Sequence, residues 1–369
     1  MLPSAQFDLV SIVERFQLGG EFVAASPYGS GHINDTFAVT MRLPAGETRY
    51  VLQRINHQVF KRPDELMENV ERVCAHARAK LAISGVVDAH RRALRLIPTT
   101  DGKSWFIDAA GNRWRCYDFV EKATGYDVVR NANQAFQAAR AFGAFQSLLA
   151  DLPGGRLHET IPDFHHTPAR FARFQAALAK DAHGRADAAK SEIAFALARE
   201  SEVSRVVDAL RSGQLPERVT HNDTKLNNVL LDDVTQEGIC VIDLDTVMPG
   251  SVLYDFGDLV RTSTSPAAED ETNLSLVTMQ FPMFEALVKG YLSSAQGFLT
   301  PREKQLLPFA GKLITFEIGL RFLTDWLEGD AYFKIKRPLH NLDRLRTQFK
   351  LVASIEDQLP AMQNFVDQK

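Results

Sequence analysis

The run His221-Asn222-Asp223-Thr224-Lys225-Leu226-Asn227-Asn228 constrains this chain more than any other feature of it. A carboxylate and an amide stand five residues apart, with a histidine two before the carboxylate and a lysine two after it. The residues C-terminal to this run restrict the fold. Val229-Leu230-Leu231 reads as an apolar strand, 232–238 is rich in turn residues, and 239–244 returns as a second strand whose end carries the carboxylates Asp243 and Asp245. This is a β-hairpin pattern, and a hairpin brings its ends together. Asn228 and Asp243 are therefore expected as neighbours although fifteen positions separate them. An ionised Asp223 is suited to accept a proton and to orient the oxygen that loses it. An amide oxygen on Asn228 and a carboxylate on Asp243 suit Mg²⁺, which prefers oxygen ligands. A solvated turn capped by Asp and Asn would read alike in isolation. Asp245 stays open between a second metal ligand, a hydroxyl acceptor and a structural cap.

The rest of the chain sets the frame for that loop. At 369 residues it is long for one core and predicts two lobes. The first, 1–121, reads as strands with one helix. A glycine turn, Tyr28-Gly29-Ser30-Gly31, precedes an alternating run to residue 40, and 50–55 is a further strand. Apolar residues at Leu66, Met67, Val70, Val73, Cys74 and Ala77 have helical period, with Pro63 at the helix start. The segments 104–108 and 113–120 flank Ala109-Ala110-Gly111-Asn112 as a hairpin. The second lobe, 122–369, reads as mostly helical, with one helix over 134–151, another over 190–212 stopped by Gly213, and more after Glu269. The fold class is thus α+β, a small β-rich lobe and a larger helical one, with a ligand cleft expected between them.

Composition excludes some partners. A net charge of −4, spread along the chain, argues against a nucleic-acid binder. No run of 18 apolar residues supports a membrane span, and no signal peptide is legible. Cys74, Cys116 and Cys240 are few, odd in number and far apart, which reads as reduced thiols in a cytoplasmic protein.

Three further features invite a role. The glycines at 29 and 31 let backbone N–H groups approach a phosphate, although such a turn also marks plain hairpins. Asp255 and Asp258 lie one helical turn apart at the start of an apolar helix, where capping and loop bracing are the bland reading. Arg321 lies within the apolar run Phe316, Leu320, Phe322, Leu323, an expensive place for a charge unless it is paired, with Glu317 or Asp325 within reach.

The spacing from His221 through Asp223 to Asn228 resembles a kinase catalytic loop. Together with Pro27-Tyr28-Gly29-Ser30-Gly31-His32-Ile33-Asn34, Tyr50-Val51-Leu52-Gln53, the runs 242–251 and 255–258, Arg321-Phe322-Leu323 and Leu327-Glu328-Gly329-Asp330-Ala331-Tyr332-Phe333, it resembles the aminoglycoside phosphotransferase and choline kinase branch of the protein-kinase-like fold. Within that branch it is similar to the N-acetylhexosamine 1-kinases. The resemblance implies ATP as phosphoryl donor, Mg²⁺ as cofactor and a small-molecule sugar as acceptor. It makes Asp223 the base, with Lys225 neutralising the transferring phosphoryl, and Asn228 and Asp243 the metal ligands, with Asp245 beside them. His221 and Asp255 would be structural. Nucleotide contacts are expected at Gly29, Ser30, Gly31, Gln53, Phe119 and Val120, and sugar contacts at Asp223, Asp245, Arg321 and Tyr332. One departure stands out. Kinases carry a lysine on the third strand, paired to a helix glutamate. Here Gln53 has that position, Arg54 faces the other way, and Glu68 or Glu71 has no obligatory partner. The same glutamine occurs in the sugar 1-kinase pattern, which makes this a variant active enzyme. The alternatives are a kinase for an aminoglycoside, choline or homoserine, and a nucleotide-binding pseudokinase that senses without turnover.

Overall fold

Alternating apolar residues build the first part of the chain. The computed structural model describes residues 7–29, 31 and 33–369. After a short helix α1 (Leu9–Val13), strands β1 (Glu21–Pro27), β2 (Asp35–Leu43) and β3 (Gly46–Ile55) follow as a meander. In β2 every second residue, Phe37, Val39 and Met41, is buried, as a half-covered strand requires. Helix α2 (Pro63–Ile83) opens on the predicted proline and buries Leu66, Met67, Val70, Val73, Cys74 and Ala77. Strands β4 (Trp105–Ile107) and β5 (Arg113–Asp118) form the expected hairpin. The five strands make one antiparallel sheet in the order β1-β2-β3-β5-β4.

Strand β6 (Ala123–Gly125) then leads to the helices α3 (Ala132–Leu149), α4 (Thr167–Lys180), α5 (Lys190–Leu197) and α6 (Arg205–Arg211). The single helix expected over 190–212 is broken. Between α5 and α6 the Arg199 guanidinium donates to the Phe195 carbonyl and forks onto Glu356, while Lys312 pairs with Glu202 and Glu356. These fixed tertiary pairs outweigh the weak preference for a continuous helix. Gly213, at φ +72°, ends α6 as expected. Strand β7 (Arg218–Thr220), strands β8 (Val229–Asp232) and β9 (Gly238–Val241), and helices α7 (Val252–Ser263), α8 (Phe281–Ala295), α9 (Pro301–Gln305), α10 (Leu307–Leu327) and α11 (His340–Asp367) complete the chain. No helix is long and apolar enough to cross a membrane among the described residues. Cys74, Cys116 and Cys240 are buried and free.

The contacts divide the chain into two compact units, and not by a single cut after residue 121. One unit gathers Met1–Asp127, Asp151–Ile161 and Val229–Met248; the other gathers Val128–Ala150, Pro162–Asn228 and Pro249–Lys369. The first holds the five-stranded sheet, a core of Phe37, Val39, Leu52, Trp114 and Cys116, and a second sheet in which β8 pairs with both β6 and β9. The second unit is helical, with a core between α4, α10 and α11 that includes Phe174, Leu320, Leu323, Leu345 and Val352. The hairpin belongs to the first unit because β8 is hydrogen-bonded to β6 there.

Candidate active site

In the helical unit, β7 delivers the polar loop. Asn222 takes a left-handed backbone, φ +64°, and turns the chain sharply. The turn is pinned from below by Asp255 on α7, which is fully buried. Its carboxylate accepts the backbone N–H of His221 at 2.9 Å and of Asn222 at 2.6 Å, and the Gln146 amide of α3 at 2.5 Å. Its carbonyl accepts the Thr224 hydroxyl at 2.5 Å. The N-cap of α7 is Ser251, not Asp255. His221 is buried, its ring edge-on to Phe142 and Phe145, and its Nδ1 accepts the Asp223 N–H at 3.3 Å. Asp223 keeps 28% of its side chain exposed and pairs with Lys225 Nζ at 3.0 Å. Asn228 turns its amide nitrogen inward, donating to the Asp223 carbonyl at 2.8 Å and to the carboxylate at 3.1 Å. Burial pushes the Asp223 carboxyl up, but the Lys225 charge and these hydrogen bonds outweigh it and hold the group below the usual carboxylate range.

The same arrangement tests a metal. With Nδ2 spent on Asp223, the Oδ1 of Asn228 accepts no hydrogen bond among the described residues. A neutral oxygen donor of this kind fits Mg²⁺. In the sheet unit, Val229 pairs with Val241, so the hairpin returns the chain to its own start. Asp243 follows β9 with φ +61° and an exposed side chain. Strand β9 stops at Val241 because that left-handed backbone ends the ladder. Among the described residues no group of three His, Cys, Asp or Glu side chains forms a metal cage.

Asp245 lies elsewhere. Only 3% exposed, it meets Arg115 of β5 at 2.5 Å and accepts the Asn34 amide at 2.6 Å. Gln53 faces the same side: it stands opposite Arg115 in the β3–β5 register, accepts from Arg115 Nε at 3.0 Å and donates to Thr36 at 3.0 Å. Arg54 points to the other face and binds Asp35. Glu68 meets His158 at 2.9 Å and Glu71 accepts the Ser104 hydroxyl, so neither glutamate of α2 has a strand lysine. Gly29, at φ +79°, has open space where a side chain would sit, as does Gly31; Ser30 lies outside the described residues. Phe119 packs on Tyr28 at 5.2 Å and under the Arg49 guanidinium, and Val120 joins a small core with Leu230, Ile239 and Cys240.

Arg321, in the helical unit, has neither of the partners its sequence offered. Glu317 is buried and held by His165 and Thr167; Asp325 accepts the N–H groups of Tyr332 and Phe333 and the Asn341 amide. Among the described residues Arg321 forms no ion pair and lies 5.5–5.9 Å from the rings of Phe164, Tyr332 and Phe333. Tyr332 is 60% exposed. Arg170, whose Nε is buried without a hydrogen bond, lines one small cavity with Arg321, Arg173 and Tyr332. Burial and the neighbouring Arg321 charge lower its pKa. His165 ties this corner to the polar loop, with Nδ1 donating to the Glu317 carboxylate (2.8 Å) and Nε2 facing the Asn222 carbonyl (3.1 Å).

Sequence reasoning missed Arg115, Gln146, His165 and Arg170. Arg115 had a signal: it alternates with buried Trp114 and Cys116, and a charge at that period reads as the solvent face of a strand. Only the vacancy of the lysine position at Gln53 pointed the other way.

The fold is one already seen in solved kinases and phosphotransferases. An aminoglycoside phosphotransferase from Alicyclobacillus acidocaldarius superposes with a TM-score of 0.61 at 14% identity, covering 97% of this chain and 96% of that one. A microcompartment-associated aminopropanol kinase gives 0.58 at 16%, covering 96% and 98%. A spectinomycin phosphotransferase solved with ADP and spectinomycin gives 0.52 at 13%, covering 95% and 97%. The architecture is thus that of the aminoglycoside phosphotransferases, the protein-kinase-like α+β fold. A sequence profile of the phosphotransferase enzyme family matches residues 24–284, and the chain belongs to that family.

Proposed function

We propose that the protein transfers the γ-phosphoryl group of ATP to a hydroxyl of a small molecule, and that the acceptor is the anomeric hydroxyl of N-acetylglucosamine or N-acetylgalactosamine. The observation that carries the reading is the loop itself: a carboxylate held ionised at Asp223, a cation 3.0 Å away at Lys225, and an amide oxygen on Asn228 left open for a metal. In the transfer, the acceptor oxygen bonds to the γ-phosphorus, the bond from that phosphorus to ADP breaks, and the hydroxyl proton passes to Asp223. Asn228 and Asp243 are the residues that would hold Mg²⁺, which when bound neutralises charge on the β- and γ-phosphates. Lys225 shares that charge load. Asp245 is left out of the metal set because both its oxygens are engaged by Arg115 and Asn34. An anomeric hydroxyl is more acidic than an ordinary alcohol, so a weak base suffices and positioning does most of the work.

The acceptor class is supported by charge. Aminopropanol and the aminoglycosides are cations, and choline is a fixed one. Arg321 and Arg170 form no ion pair among the described residues, and the carboxylates lining the same cavity are claimed, Asp325 by the Tyr332 and Phe333 N–H groups and Glu328 by Arg173. The two arginines would therefore repel such a ligand, whereas a neutral sugar offers oxygens for them to donate to. ADP release should be screened with N-acetylglucosamine, N-acetylgalactosamine, choline, aminopropanol and kanamycin. The sugars are expected to turn over and the amines not. Arg321→Ala should lose sugar use by at least tenfold with ATP affinity near normal, because a site that pairs sugar hydroxyls is damaged by one lost donor. Turnover of an amine with neither sugar would move the protein to the choline or aminoglycoside branch. Nucleotide binding without turnover of any acceptor would make it a sensor.

A further inference from the structure

The lysine absent from β3 leaves a question that the sheet unit answers with its own residues. Arg115 is 1% exposed, and a guanidinium buried so completely is costly unless it is well paired. Its pairing has a direction. Nε donates to Gln53, the residue standing opposite it at the former lysine position, and NH1 reaches Asp245, two residues past Asp243. The network continues at both ends: Gln53 donates to Thr36 on β2, and the other oxygen of Asp245 accepts Asn34 at the foot of the same strand. The turn 243–247 is held at two more points. Thr160 donates to the Asp245 carbonyl at 2.9 Å, and Asn69 of α2 to the Val247 carbonyl at 3.1 Å. That turn begins at Asp243 in a left-handed backbone, which a non-glycine residue keeps only when its surroundings over-determine it.

We infer that Arg115 is the positioning cation of the nucleotide–metal site: it has moved from β3 to the facing place on β5, and through Asp245 it locks the turn that presents Asp243. The strand lysine and helix glutamate of other kinases are replaced here by a strand arginine and a turn aspartate. Gln53 is the spacer that orients the guanidinium, and the Met67 sulfur of α2 lies 3.8 Å from NH1. Arg115 acts through Asp245 and is not assigned contact with phosphate. The inference rests on Asp243 being a metal ligand, as proposed above.

The test reads metal binding first, with the acceptor KM as the control. Mn²⁺ would be titrated by electron paramagnetic resonance against the full chain with ADP, for wild type, Arg115→Met, Arg115→Lys and Gln53→Met. Arg115→Met should raise the half-saturating Mn²⁺ at least tenfold with the acceptor KM little changed. Arg115→Lys keeps a charge for Asp245 but loses the fork, and should recover to within a few-fold of wild type. Gln53→Met leaves the ion pair in place and should shift the titration about threefold in the same direction. It carries the test alone if Arg115→Met does not fold. Wild-type titration curves for Arg115→Met, or for Gln53→Met in that case, would overturn the inference while leaving the proposed function standing. A wild-type chain that binds no Mn²⁺ with ADP would overturn both.

Discussion

In the proposed reaction Asp223 is the proton acceptor, and its environment sets what is expected of it. A carboxylate held below its usual range is ionised throughout the physiological span, so it needs no deprotonation before it acts. A depressed group loses its proton-accepting form only as pH falls through a value under the ordinary 3.8. The acid limb of kcat/KM should therefore be absent between about pH 5 and pH 8. A limb centred near pH 6.5 would assign the base to a histidine instead. Asp223→Asn keeps the shape and the Asn228 contacts but removes the proton acceptor. It is expected to lower kcat by about 10²–10⁴-fold while nucleotide affinity is kept. A variant retaining more than about a tenth of the activity would contradict the assignment.

At the scale of elements, the loop is only as well placed as α7, the helix that carries Asp255. Two glycines bring α7 against α10. A Cβ at Gly257 would lie 2.5 Å from the Ala310 carbonyl oxygen, and one at Gly311 would lie 2.6 Å from Val260. The first clash is with backbone and is not relieved by turning a side chain. Gly257→Ala should therefore push the helices apart and cost about 1–3 kcal/mol in urea unfolding. Because Asp255 sits two residues before the contact and holds the His221 and Asn222 amides, kcat should fall in the folded variant as well. Unchanged stability and unchanged kcat would mean that the loop is braced independently of this crossing. The hairpin divides in the same way between local and distant causes. Its strands were legible because Val229, Leu230 and Leu231 and their return partners are apolar and bounded by turn residues. Its early stop at Val241 was not, since Asp tolerates a left-handed backbone more readily than most residues but does not require one.

Over the whole molecule, periodicity made the α+β class, the first sheet and most helices readable from sequence alone, and the Asp–Asn spacing located the polar loop. What stayed hidden depends on residues distant in the chain. The break between α5 and α6 comes from Arg199 meeting Glu356, more than 150 positions away. The assignment of 229–248 to the sheet unit comes from the pairing of β8 with β6. Arg115 looked like surface because its carboxylate, Asp245, lies 130 positions on. The freedom of Arg321 was equally out of reach, since it depends on Glu317 and Asp325 being claimed by His165, Thr167 and a loop backbone. That freedom is what favours a neutral, oxygen-rich acceptor, and the product formed from such an acceptor decides the matter. Phosphorus NMR of a reaction with N-acetylglucosamine, ATP and Mg²⁺ should show a new phosphate coupled to the anomeric proton. A phosphate coupled to the C6 protons, or no new phosphate ester from either N-acetylhexosamine, would contradict the proposed activity.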